Sequence, residues 1–208
     1  MRNKTLLIAA AALVAGVVSS EAQVYSANVV GYVNVTCPAN TLVLAANPLD
    51  NGTNDLDSLL TALPTKSSVQ IWNGAGFTSI SKGAGGFSPD TIIPPGSGLF
   101  IKSATLQTNT FVGNVACAPG GFTTNALTAN TLYLVGSTIP YGADLNDTND
   151  TLNTSTLPVK SSVQVWNGAG FTSISKGGGG FSPDPTIPVA GGFFIKSSTT
   201  FNWIQTLP

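Results

Sequence analysis

The sequence predicts an all-β protein with one or two short helices, built as two tandem, pseudo-symmetric modules that are sandwich- or barrel-like. Three observations predict it. Short runs rich in β-branched and aromatic residues, bounded by Gly, Pro or Asn, fill the first half: "NVVGYVNV", "TLVLAA", "SVQIW", "GFTSI", "GLFIK" and "TFVGNV". The stretch from Lys66 to Ser103 returns at Lys160 to Ser197 with 30 of 38 positions identical, and "NTLVLAANPL" at Asn40 is echoed by "NTLYLVGSTI" at Asn130. Charged residues are only 8% of the chain, and Thr, Asn, Ser and Gly take the polar positions, a composition typical of exported all-β proteins. With 23 Gly and 13 Pro, the chain stays below the level at which composition alone argues for disorder.

Residues 1–22 read as a signal peptide. Arg2 and Lys4 precede an apolar run from Leu6 to Val18, and small residues at Ser20 and Ala22 fit a signal-peptidase site. The run of about 13 residues is short of the roughly 20 that cross a bilayer as a helix, and no second apolar stretch approaches that length. The mature chain is expected to start at Gln23, with no membrane span, as a β-repeat over 23–116 and a second over 117–208. Its expected address is extracellular, cell-surface or periplasmic. Without the leader the chain carries six Lys and eight Asp, a net charge of −2, which gives no field for nucleic acid or anionic lipid; neither is an expected partner.

Along each module the elements follow from local chemistry. "NDLDSLLTAL" predicts a short helix capped by Asn54 or Asp55, carrying Leu56, Leu59, Leu60 and Leu63 and stopped by Pro64. Its counterpart "NDTNDTLNTSTL" has lost the leucine stripe and predicts a weaker helix or a loop. The recurring stretch predicts a hairpin, because Asn73-Gly74 tolerates positive φ and Gly76 allows a four-residue turn. Alternation then puts Val69, Ile71, Thr78 and Ile80 on one face and Ser68, Gln70, Trp72, Phe77 and Ser79 on the other. Trp72, Phe77 and their counterparts Trp166 and Phe171 thus sit on the more polar face. There they are candidates for an exposed platform that stacks on sugar rings or anchors another surface protein. The alternative is that "KGAGGFSPD" folds back and covers that face with Phe87, making Trp72 and Phe77 ordinary core residues.

Cys37 and Cys117 form an even pair. In an oxidising compartment a bridge closing a loop of about 80 residues is worth on the order of 4 kcal/mol, and the alternative is two separate buried thiols. The absence of histidine and of CxxC spacing argues against zinc.

The loops "DNGTNDLD" and "DLNDTND" bring together Asp50, Asp55 and Asp57, and Asp144, Asp147 and Asp150, oxygen donors of the kind calcium takes. Neither has the EF-hand spacing or its terminal Glu, and turn and cap roles account for these residues without metal, so no cofactor is expected. Catalysis is not expected either, because the mature chain has no His, Arg or Glu and no GxSxG or Ser-x-x-Lys arrangement. The remaining enzymatic option is an Asp-based hydrolase using Asp90 with Asp184, although the repeat places these in equivalent copies rather than one cleft.

On "NVVGYVNVTCPANTLVLAANPL", "VQIWNGAGF", "PPGSGLFIK" and "TFVGNV", the chain resembles a group of uncharacterised exported two-repeat β proteins of Verrucomicrobia and related bacteria. The second copy departs from that pattern, with "GSTIP" in place of "ANPL" and "VAGG" in place of "PGSG". The resemblance implies export and the fold class, and it carries no activity or site residues. The expected role is that of an exported, non-catalytic structural or interaction protein of the cell surface or extracellular space, with glycan binding by the Trp and Phe faces as the alternative.

Overall fold

The computed structural model describes residues 30–118, 120–149 and 151–208. The expected leader lies outside the described residues, as does Asp150. The fold is mostly β, in several antiparallel sheets, and no sheet among the described residues closes into a barrel. No helix in the described residues is long and apolar enough to cross a membrane.

The first unit is a two-layer sandwich. One layer is a five-stranded antiparallel sheet in the order β2 (Leu42–Ala46), β6 (Gly98–Lys102), β3 (Ser68–Trp72), β4 (Phe77–Gly83), β5 (Gly86–Ser88). The other is the ribbon of β1 (Val30–Cys37) with β7 (Gln107–Asn114), joined by the short helix α1 (Leu56–Leu59). Alternation along the strands sends Val69, Ile80, Leu99 and Ile101 into the space between the layers. There they meet Phe111 of the ribbon and the buried Leu56, Leu59, Leu60 and Leu63. Asp55 caps α1, its carboxylate accepting from the Ser58 N–H at 2.7 Å.

The second unit repeats the plan with β8 (Phe122–Leu127), β9 (Leu132–Gly136), β11 (Ser162–Trp166), β12 (Phe171–Gly177), β13 (Gly180–Phe181), β15 (Gly192–Lys196) and β16 (Phe201–Thr206). Its sheet runs β13-β12-β11-β15-β9 and its ribbon is β16-β8, with a small extra pair of β10 (Ala143–Asp144) and β14 (Thr186–Ile187). The second unit has no α-helix among its described residues to match α1, and a single 3-10 turn at Thr154–Thr156 stands at the positions of Leu60–Ala62. A large side chain compensates. Trp203 is fully buried and donates its indole N–H to the Leu152 carbonyl, at the register position held in the first unit by Asn109. Two positions on, the exchange is reversed, with Phe111 in the first unit and the buried Gln205 in the second.

The hairpin register agrees with the reading of the sequence: Ser68 lies opposite Ser81 and Trp72 opposite Phe77, across a four-residue turn. Asn73 holds that turn, its side-chain oxygen accepting from the N–H of Ala75 and of Gly76. Phe87 corrects the alternative given above. Lys82 pairs with Phe87, so Phe87 shares the face of Ile80, two residues from Lys82, and enters the sandwich core rather than covering Trp72 and Phe77.

The candidate bridge between Cys37 and Cys117 is not formed, and both are free thiols. The register explains why. Cys37 faces Gln107 at one end of the ribbon, and the chain then runs away from it through Asn114 to Cys117. Seven residue steps separate the ends by about 23 Å at roughly 3.3 Å each, several times the Cα separation a disulfide allows. Cys37 instead serves as a small core hydrophobe, at the position where the second unit buries Leu127.

Candidate functional site

The polar-side faces of the two five-stranded sheets turn toward each other, and their aromatic rings interlock. Trp72 and Phe77 from the first hairpin and Trp166 and Phe171 from the second surround two rings that neither hairpin supplies, Phe100 on β6 and Phe194 on β15. Every neighbouring pair is edge-on, the preferred arrangement for ring quadrupoles. Across the seam, Trp72 lies 5.0 Å from Phe194, and Trp166 lies 4.9 Å from Phe100. Phe77 lies 6.1 Å from Phe194 and Phe171 lies 5.9 Å from Phe100. The contacts come in matched pairs, so the seam has an approximate twofold axis. This is the geometry of a symmetric dimer interface, in which one patch meets its own copy, built here within one chain.

Backbone contacts obey the same axis. Ala46 N–H donates to the Ala190 carbonyl at 2.8 Å, and Gly136 N–H to the Gly96 carbonyl at 2.9 Å. Ala45 bridges Gly191 just as Val135 bridges Ser97. The departures "PGSG" and "VAGG" keep the same turn, since Gly96 and Ala190 both adopt positive φ and the N–H of Ser97 and of Gly191 bond the carbonyls of Pro94 and Pro188. The indole bonds break the symmetry: Trp72 donates its N–H to the Leu132 carbonyl at 3.1 Å, while the buried Trp166 indole N–H has no partner.

The four aromatics singled out from the sequence are therefore brought together, but against one another rather than on an open platform. Phe100 and Phe194 are nearly fully buried at the centre, Trp72, Trp166 and Phe171 are half-buried, and Phe77 keeps 39% of its surface exposed. Phe100 and Phe194 were missed by the sequence reading. Their signal was present in "GLFIK" and "GFFIK": with Leu99 and Ile101 directed to the core, the residue between them must face the other way.

The aspartates are spread over turns. Asp50 accepts from the Asn54 amide at 2.7 Å and from Gly52 N–H at 2.9 Å, bonds that hold its carboxyl below the usual range. Asp55 is lowered by its bonds from Ser58, first the backbone N–H. Asp57 reaches across to accept from Phe87 N–H, and Asn146 does the same for Phe181 in the second unit. Asp144 takes the Thr186 hydroxyl, and Asp147 the Asn149 N–H. Asp144, Asp147 and Asp184 line a polar hollow of about 520 Å³, yet among the described residues no three such side chains converge as metal ligands. Asp90 and Asp184 are corresponding residues of separate units, accepting from the N–H of Asp57 and of Asn146 respectively. The lysines beside the glycine runs also hold loops: Lys82 donates to the Leu60 carbonyl, and Lys176 to those of Ser155 and Leu157.

No family model, curated protein or solved structure matches this chain.

Proposed function

We propose that this chain is an exported, non-catalytic structural or interaction protein of the cell surface or extracellular space. The observation that carries the reading is the use to which its side chains are put. The aromatics join the two units, and Asp50, Asp55, Asp57, Asp90, Asp147 and Asp184 each accept a backbone N–H that shapes a loop. Polar chemistry committed to shape suits a component that acts through its surface. The leader-like residues 1–22 and the resemblance to exported two-repeat proteins support the address.

The test is expression of the full chain in a bacterial host, with fractionation and mass spectrometry of the product. A chain beginning at Gln23 outside the cytoplasm is expected. Recovery of the uncleaved chain in the cytoplasm overturns the address, and glycan or peptide turnover that disappears in Asp90→Asn overturns the non-catalytic reading. Glycan binding is the second reading, supported by the exposed part of Phe77 at the edge of the seam. It predicts a tryptophan fluorescence change on titration with a polysaccharide and loss of that change in a folded Trp72→Ala variant. If Trp72→Ala unfolds the protein, that reading loses its support.

A further inference from the structure

The approximate twofold axis passes between Ala46 and Gly136, which occupy the same position in "NTLVLAA" and "NTLYLVG" and face each other across the seam. A methyl group on Gly136 would overlap the Ala46 methyl, so one side of the axis carries a knob and the other the hole that receives it. Away from the axis a second mismatched pair appears. Gly96 packs so closely on Thr138 that a Cβ there would lie 2.5 Å from the threonine methyl. The position matching Gly96 in the second unit is Ala190, which does carry a Cβ. Thr138 is held from turning away, because its backbone N–H and its hydroxyl both bond the Gln205 side chain.

These two pairs decide which faces can meet. A seam between two first units would set Ala46 against Ala46 at the axis, where there is room for one methyl. A seam between two second units would leave Gly136 against Gly136 and drive each Ala190 Cβ into a Thr138 methyl. Only unlike faces fit, although the hairpins and rings on the two sides are nearly identical. Close-packed contacts of this kind discriminate strongly because backbone flanks them and neither side can retreat.

We propose that the aromatic seam is a pairing surface specific for unlike units, so that its partner is the second unit for the first and the first for the second, whether from this chain or another copy of it. Ala46 with Gly136, and Gly96 with Thr138, are the residues that set this specificity.

The direct test nicks the folded full chain at a protease site placed within residues 115–121, mixes it with an isotope-labelled nicked copy, and reads the complexes by native mass spectrometry. Pairs of one N-terminal and one C-terminal half are expected, with labels exchanged and no like pairs. Like pairs in the wild-type protein, or halves that separate, overturn the proposal. Ala190→Gly gives the second unit the glycine that the first one has, and is expected to admit pairs of C-terminal halves; their absence removes Ala190 and Thr138 from the specificity. An intact-chain experiment covers the axis. Gly136→Ala is expected to lower the melting temperature by about 5 °C through overpacking. The inverted pair Ala46→Gly with Gly136→Ala is expected to recover part of that loss, since the overlap with the Ala46 methyl is removed while the Gly191 carbonyl still lies 2.9 Å from the new Cβ. A double variant no more stable than Gly136→Ala alone overturns the assignment of the axis.

Discussion

Phe100→Ala probes the seam at its centre. Phe100 retains 3% of its surface exposed and meets Phe77, Phe171 and Trp166 at 5.3, 5.9 and 4.9 Å. Truncating a buried Phe costs about 3–5 kcal/mol, combining lost transfer energy with the cavity left behind. The edge-on contacts place this residue toward the middle or upper part of that range, at about 4 kcal/mol. For a domain of this size that corresponds to a fall of roughly 8–16 °C in melting temperature. Thermal unfolding followed by circular dichroism is the assay, with Phe122→Ala as the control, since Phe122 is 42% exposed and takes no part in the seam. Because Phe194 occupies the matching place, Phe194→Ala should cost the same within about 1 kcal/mol, and the double variant should cost less than the sum because both rings share Phe77 and Phe171 as partners. A shift under about 3 °C for Phe100→Ala, or a twofold disparity between the two single variants, would refute a symmetric seam that holds the units together.

Lys176→Met should destabilise by about 1–2 kcal/mol in urea titration, because it strips the donor from the carbonyls of Ser155 and Leu157; Lys82→Met, with the single acceptor Leu60, should cost less. In the native protein a maleimide should label Cys117 well before Cys37, whose thiol is buried and pushed up in pKa by that burial; equal labelling rates would contradict the placement of Cys37 in the core. Stability should fall as the pH drops below about 4. Asp50 and Asp55 are held below their unfolded values, so their contribution is present above that value and is lost as the pH falls through the lowered folded one. With no histidine in the chain, denaturant midpoints should be flat between about pH 5 and 8, and Asp50→Asn should soften the acid limb.

Local features were legible in the sequence because their causes are local. Asn73, Gly74 and Gly76 set the hairpin turn, alternation fixed the faces of Val69 and Trp72, and Asp55 with the leucines marked α1. The loss of those leucines near Thr154 marked the weaker element in the second unit. Pairing between distant segments was less legible. Nothing near Trp72 says that Phe194 covers it, because an aromatic on a polar face reads the same whether it awaits a sugar, a protein or another part of its own chain. The cysteines illustrate the same limit. Their number and compartment favour a bridge, and only the antiparallel register of β1 on β7 places them at opposite ends. Side-chain alternation in "GLFIK" did carry the clue to Phe100, and it needed only the recognition that a strand can be buried on both faces.

The short connector between β7 and β8, seven residues from Val115 to Gly121, has a consequence for the seam it spans. Two separate chains joined by such a face would come apart on dilution, as any dimer does. Tethering by so short a link holds the faces at an effective concentration on the order of millimolar whatever the amount of protein present. The joint therefore stays closed for a single isolated molecule, and its closure comes to depend on protein concentration only once the connector is cut.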